Sequence, residues 1–241
     1  MIKVLGLALY GPLAASTRHR LGQYVHGLAE HGVDLQVRSL LGDEYLRQQF
    51  TNSALPWAAM VRAALGRLAD LKERRYDLSM LHCELFPLMP DWLERTLLGR
   101  RPYIYDFDDA FYLKYRRGSL GKLRPVLGEK FDTVMQGASA ITAGNRTLLE
   151  YARAHNPAVT QLPTVVDTDR YFPASRRRGS VFTVGWIGLP STAPYLAELI
   201  GPLARIGREG PVRLVVIGGK APAIPDVDVD EVIGARQPKF R

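Results

Sequence analysis

Pro163-Thr-Val-Val-Asp-Thr-Asp-Arg-Tyr-Phe-Pro173-Ala-Ser175-Arg-Arg-Arg-Gly179-Ser-Val181-Phe-Thr-Val-Gly-Trp-Ile187 is the stretch on which the fold turns. Two prolines and the polar run Ser175–Gly179 read as an exposed linker, since proline and glycine interrupt regular structure. Directly after it the pattern restarts. Val181–Ile187 reads as a strand, Ala193–Arg208 as a helix, and Arg213–Ile217 as a strand that ends in Gly218-Gly219. A second domain is therefore expected to begin near residue 180. Val227–Ile233 is the one further strand expected in the proline-containing tail from Ala221.

Upstream of the linker the same alternation runs longer. Ile2–Leu9 is an apolar run closed by Tyr10-Gly11-Pro12. Lys3 ahead of that run gives it the look of a short signal peptide. A helix signal follows at once, however, and the pattern needs an opening strand, so it is read as a buried strand. Leu21, Tyr24, Val25 and Leu28 give helical spacing over Thr17–His31, stopped by Gly32. Val33–Leu40 alternates like a strand, and Trp57–Arg74 carries a helical apolar face. Leu78–His82, Pro102–Tyr105, Ala138–Ala143 and Val159–Leu162 read as strands. Helices are expected around Asp91–Leu98, Lys122–Gln136 and Arg146–His155. Strands alternating with helices imply a parallel sheet covered on both faces.

The composition permits this and excludes other classes. The chain has 241 residues, 46% hydrophobic and 23% charged, as in globular proteins. Its single cysteine, Cys83, rules out an intramolecular disulfide and a cysteine metal cage. No apolar run reaches the ~18 residues of a membrane span. The net charge of +8 favours anionic partners: nucleic acid, a membrane surface or phosphorylated small molecules.

In parallel sheets the ligand lies beyond the carboxyl ends of the strands, so the residues there are read for chemistry. After the first strand stand Gly11 and Ser16-Thr17-Arg18-His19-Arg20: a small residue, a helix start and a basic face. No GxGxxG dinucleotide fingerprint is present. After Leu78–Leu81 stand His82, Cys83 and Glu84. A histidine beside a glutamate can orient or deprotonate a hydroxyl, or can simply be a bonded strand end. Cys83 reads as core filler. After Tyr105 come Asp106, Asp108 and Asp109, whose mutual repulsion asks for a counter-charge: a metal, an arginine or substrate hydroxyls. Lys114–Lys130 holds Lys114, Arg116, Arg117, Lys122, Arg124 and Lys130 against the single acid Glu129, interleaved with aromatics. That composition suits a solvated loop, a membrane interface or a polyanion.

Three segments together resemble the retaining glycosyltransferase family 4. They are Ala143-Gly-Asn-Arg-Thr-Leu-Leu with Gln161–Pro173, then Gly185-Trp-Ile-Gly-Leu-Pro-Ser-Thr192, then Tyr105-Asp-Phe-Asp-Asp109. The resemblance implies the α/β GT-B architecture, two Rossmann-like domains facing across a cleft. It gives an acceptor domain at 1–165, a linker at 166–180 and a nucleotide-sugar domain at 181–241. It implies sugar transfer with retention from a nucleotide sugar to a glycan or lipid-linked acceptor, with no metal and no cofactor. It places the protein in the cytoplasm, with peripheral contact at the inner face of an anionic membrane and no nucleic acid partner. His82 resembles the strand-end histidine that contacts the sugar. Gly11, Gly185, Gly188, Ser191, Thr192 and Lys220 resemble the donor-phosphate positions. Arg18, Arg20, Glu84, Asp106, Asp108 and Asp109 fall on the acceptor side.

One departure bears on activity. The family's second domain carries an acidic Glu-x7-Glu region and a basic pair, and the sequence reaches Arg241 before either is complete. About 60 residues follow the linker, whereas a domain takes roughly 100–200. The expectation is a truncated second domain and a chain inactive by itself. The rival expectations are a non-catalytic remnant and a basic membrane-surface protein.

Overall fold

The structure, a computed structural model, describes residues 1–50, 57–99, 101–169, 171–173, 179–188, 190 and 192–232, without the side chains of 49, 50, 118 and 119. The arginine run of the expected linker, Ser191 and the tail beyond 232 lie outside the described residues. The chain folds as two compact units, Met1–Phe172 and Pro173–Arg241.

The first unit alternates strand and helix: β1 (Ile2–Ala8), α1 (Ala15–Arg20), α2 (Val25–Glu30), β2 (Val33–Ser39), α3 (Gly42–Phe50), α4 (Trp57–Lys72), β3 (Leu78–His82), α5 (Asp91–Leu98), β4 (Tyr103–Phe107), α6 (Arg124–Leu127), α7 (Lys130–Gly137), β5 (Ala140–Ala143), α8 (Arg146–Arg153) and β6 (Val159–Gln161). The six strands form one parallel sheet in the order β2-β1-β3-β4-β5-β6. β1 lies inside the sheet, and Val4 to Ala8 are buried, which explains its unbroken apolar run. Leu5, Leu7, Leu81, Tyr105, Phe107, Ile141 and Ala143 centre the core. The chain leaves β1 towards one edge and returns at β3 on the other side of it. The strand order reverses there, so a crevice opens between the carboxyl ends of β1 and β3.

Several helices are more broken than periodicity suggests. The expected helix Thr17–His31 is α1, a 3₁₀ turn at Gly22–Tyr24 and α2. Its break falls at Leu21 and Gly22, where glycine weakens a helix. The expected Lys122–Gln136 helix is a 3₁₀ turn, then α6 and α7, with Pro125 at the start of α6 and Gly128 at its end. The sequence reading missed α3. That segment is mostly polar, and its contacts include Tyr45 stacked on Tyr10 and Asp43 accepting from Leu13 N, neither of which periodicity marks.

The second unit has β7 (Phe182–Ile187), a 3₁₀ helix at Ala193–Leu199, α9 (Ile200–Glu209), β8 (Val212–Ile217) and β9 (Val227–Val232). Its strands are parallel in the order β7-β8-β9. Leu196, Leu203, Ala204, Leu214, Val216 and Ile224 form its core, with Val184 and Trp186 packed against them.

Candidate functional site

At the crevice lies a cavity of about 250 Å³. Leu9 and Tyr10 reach it from the exit of β1, Ser16 and Thr17 from α1, His82, Cys83 and Glu84 from the end of β3, and Phe111 and Lys114 from the segment after β4. Ligand pockets run from about 300 Å³ upward, so this one suits something as small as a single sugar ring. Thr17 fixes one wall, its hydroxyl donating to Tyr10 O at 2.9 Å. Cys83 turns the chain at the end of β3 in the left-handed region, φ 66°. That conformation costs a non-glycine residue on the order of 1 kcal/mol or more. Burial and the Cys83 N–H donating to Asp106 O at 3.1 Å hold it there. Burial also pushes its thiol well above the ordinary range, so the thiol is protonated and unreactive.

Asp106 is the hub behind the cavity. It is fully buried, and its carboxylate accepts from Arg20 Nε at 3.0 Å, Arg20 Nη2, Thr142 Oγ1 and His82 Nδ1 at 2.8 Å. Burial pushes this carboxyl up, but the hydrogen bonds from His82 and Arg20 and the guanidinium charge of Arg20 outweigh it, holding it below the usual carboxylate range. An ionised carboxylate only accepts, so His82 Nδ1 carries the proton it shares with Asp106. In the neutral ring Nε2 is then an acceptor. Nε2 is buried and has no hydrogen-bond partner among the described residues, although its side chain lines the cavity. Arg20 extends the network, donating from Nη1 to Leu162 O at 2.6 Å. Arg20 and Asp106, expected to meet an acceptor, instead bond to each other in the interior. Neither leaves surface for a ligand, because each needs the other to offset the cost of a buried charge.

A second charged cluster backs the opposite wall. Glu84 is buried and accepts from Lys114 Nζ at 2.6 Å, Tyr115 OH at 2.6 Å and Lys130 Nζ at 2.7 Å. Lys130 is also buried and lies 3.0 Å from Glu94 on α5. Lys114 is partly exposed and brings a cation to the cavity.

The other expected residues are dispersed. Asp108 accepts from Thr164 Oγ1 at 3.4 Å, and Asp109 accepts from the N–H of Ala110 at 2.7 Å. With Asp106 turned inward, the three carboxylates do not converge. Among the described residues no group of three His, Cys, Asp or Glu side chains is placed to hold a metal. Arg18 is exposed and braces the loop after β1, donating to Pro12 O and Leu13 O at 2.8 and 2.7 Å. Gly11, expected to face a diphosphate, packs against α3: a Cβ there would lie 2.2 Å from Asp43 Oδ1. That carboxylate also accepts from Leu13 N, so the glycine serves the loop–helix contact.

In the second unit Gly188 is closely packed, with a Cβ there 2.4 Å from the Trp186 ring. Gly218 has φ +84°, and a Cβ there would lie 2.3 Å from Gly188 O. Gly185 has open space around it. Thr192 and Lys220 are exposed at the ends of the same strands. The strand-end rule reaches Ser16 and Thr17 as part of a helix start, and Lys114 stands out only as one of a basic run. Sequence reasoning missed Tyr10 and Phe111 as cavity residues and Thr142 as a partner of Asp106.

No protein-family model and no curated protein matches the chain. Solved structures do. Sucrose-phosphate synthase from Thermosynechococcus elongatus aligns over 94% of this chain at 13% identity and a TM-score of 0.60. A glycosyltransferase from Rickettsia africae aligns over 90% at 10% identity and 0.52, and the glycotransferase of kitacinnamycin over 94% at 13% and 0.50. The chain spans 64% of the first of these proteins, 60% of the second and 70% of the third. Among the described residues no helix is long and apolar enough to cross a membrane. Among the described residues the two parallel sheets, of six strands and of three, match the GT-B glycosyltransferase fold.

Proposed function

We propose that the protein belongs to a retaining, nucleotide-sugar-dependent glycosyltransferase of family 4 type, acting in the cytoplasm on a glycan or lipid-linked acceptor. The observation that carries this reading is the buried Nε2 of His82, without a partner among the described residues, on a small cavity at the strand-order reversal. A buried polar atom without a partner costs about 1–3 kcal/mol, which a ligand hydroxyl recovers. The His82 acceptor takes that hydroxyl proton in a hydrogen bond and fixes the sugar ring. Asp106 and Arg20 are positioning residues, which set the tautomer and rotation of His82. Glu84 and Lys114 complete the polar wall, while Arg18, Asp108 and Asp109 serve the acceptor side. In the second unit Gly185, Gly188, Ser191, Thr192 and Lys220 serve the donor phosphates, with Lys220 supplying charge to the leaving diphosphate.

The test is binding and hydrolysis across a panel of uridine- and guanosine-diphosphate sugars. His82→Ala is expected to lower kcat/KM about 10- to 100-fold, the loss of one buried hydrogen bond. Asp106→Asn is expected to shift the pH profile by freeing the tautomer. A protein that binds no nucleotide sugar, or a His82→Ala variant of unchanged kcat/KM, overturns the reading.

A further inference from the structure

The basic, aromatic run Lys114–Lys130 divides in the structure into an inward and an outward part. Tyr115 is fully buried, and Tyr112 stacks on Tyr151. Arg116 bonds to Asp132, Lys130 is buried between Glu84 and Glu94, and Lys114 pairs with Glu84. The aromatics therefore belong to the core, and half of the cations are already neutralised. What remains outside is Arg117 and the unbroken exposed run Lys122-Leu-Arg-Pro-Val126. Val126 is 65% exposed and Leu123 37%.

A second exposed apolar group joins the same segment. Leu88, in the loop after β3, is 58% exposed, and its N–H donates to Tyr115 OH at 2.9 Å. Four residues on, in the first turn of α5, Trp92 is 64% exposed. Exposed tryptophan and aliphatic side chains beside exposed cations do not suit a nucleic acid backbone, which offers nothing apolar to a leucine or valine. They suit the boundary of an anionic bilayer, where the cations meet headgroup phosphates and the apolar side chains enter the acyl edge. The segment also touches the cavity directly, since Lys114 lines it.

We propose that Leu88, Trp92, Arg117, Lys122, Arg124 and Val126 form a docking surface for an anionic lipid bilayer. In the glycosyltransferase reading, on which this step rests, such docking favours a lipid-borne acceptor over a soluble glycan.

Co-sedimentation of the full chain with phosphatidylcholine vesicles, with and without phosphatidylglycerol, tests the surface in the absence of any donor. Binding is expected to the anionic vesicles alone and to fall as salt is raised. At about 1 kcal/mol per basic residue, the Lys122→Gln/Arg124→Gln variant is expected to bind about thirtyfold more weakly. Leu88→Ser/Val126→Ser is expected to weaken vesicle binding while leaving binding to heparin unchanged. No sedimentation at low salt, or unchanged affinity in the Lys122/Arg124 variant, overturns the proposal. So does an equal loss of heparin and vesicle binding in Leu88→Ser/Val126→Ser, which marks a general polyanion site. Circular dichroism of both variants confirms that these surface changes leave the fold intact. Vesicle binding is scored without sugar transfer, so a protein that binds vesicles but turns over no donor defeats the functional reading and leaves the docking surface standing.

Discussion

In the first unit the segments that leave β1, β3 and β4 are held together by side chains: Arg20, His82 and Asp106 meet in the interior. In the second unit the segments that leave β7 and β8 are held by the lack of side chains. Gly218 packs against the backbone of Gly188, and Gly188 and Gly219 lie against the Trp186 ring. The two strand ends thus solve one problem, bringing several loops close together, in opposite ways. One accepts the cost of burying charges and pairs them. The other removes Cβ atoms and fills the gap with an indole. The first arrangement is rigid only while every partner is present, and the second only while nothing is added.

The largest break is expected in the first. Asp106→Ala leaves Arg20 buried without a counter-charge and His82 without its orienting acceptor. Removing one partner of a buried pair costs about 3–5 kcal/mol. Urea denaturation followed by circular dichroism reads this as a lower midpoint. Asp106→Ala/Arg20→Met, which removes both charges, is expected to recover most of the loss. If the double variant is no more stable than Asp106→Ala, the Arg20–Asp106 pair is not the source of the cost.

Gly218→Ala is the corresponding change in the second unit. It places a Cβ in a left-handed conformation and 2.3 Å from Gly188 O. Strain and overpacking together are expected to cost roughly 2–4 kcal/mol, confined to the second unit. Trp186 is the natural reporter. The other two tryptophans, Trp57 and Trp92, lie in the first unit and are exposed. In a Trp57→Phe/Trp92→Phe background, fluorescence follows the second unit alone. A fluorescence midpoint unchanged by Gly218→Ala contradicts the packing account.

The same contrast explains what the sequence disclosed. The alternation of strand and helix is a local pattern, and it yielded all nine strands of the described residues, with α5 at its observed bounds. The strand expected at Val181–Ile187 was equally legible and stands at Phe182–Ile187, because a short apolar run needs no knowledge of distant residues. The site was legible only in part. His82 stands at a strand end and so was marked, but its partner Asp106 is 24 residues away, and Arg20 lies 86 residues from Asp106. Periodicity says nothing about such pairs. Adjacency in the chain grouped Asp106, Asp108 and Asp109, and of the counter-charges considered Asp106 has the arginine, Arg20, while Asp108 and Asp109 have other partners. The glycines were visible as a motif, but their tight contacts come from Trp186 and from each other, a packing fact with no signature in spacing.

A pH titration sharpens the contrast further, because the two units bury charge so differently. In the second unit Arg213–Asp228 and Arg208–Asp226 lie on the surface, where ion pairs contribute little. In the first, Glu94 is buried, and burial raises its carboxyl from 4.5 to about 7 despite Lys130 at 3.0 Å. Desolvation therefore outweighs the ion pair at this site. A raised acid means that between about pH 4.5 and 7 the folded unit holds a proton which the unfolded chain has released. Stability from this group is then complete below that window and is lost as pH rises through about 7. The shift corresponds to a fall of about 3 kcal/mol. Asp106 acts in the reverse sense, its stabilisation being lost only as pH drops below the ordinary carboxylate range, so the two effects occupy separate windows. Urea midpoints by circular dichroism are expected to fall between about pH 5 and pH 8 in the wild type and to stay level in Glu94→Gln. In the Trp57→Phe/Trp92→Phe background, Trp186 fluorescence is expected to give a midpoint that does not move with pH, with or without Glu94→Gln. A pH-dependent Trp186 midpoint would show that the proton on Glu94 is felt beyond the first unit, and the division between a charge-built and a glycine-built strand end would then have to give way to one coupled structure.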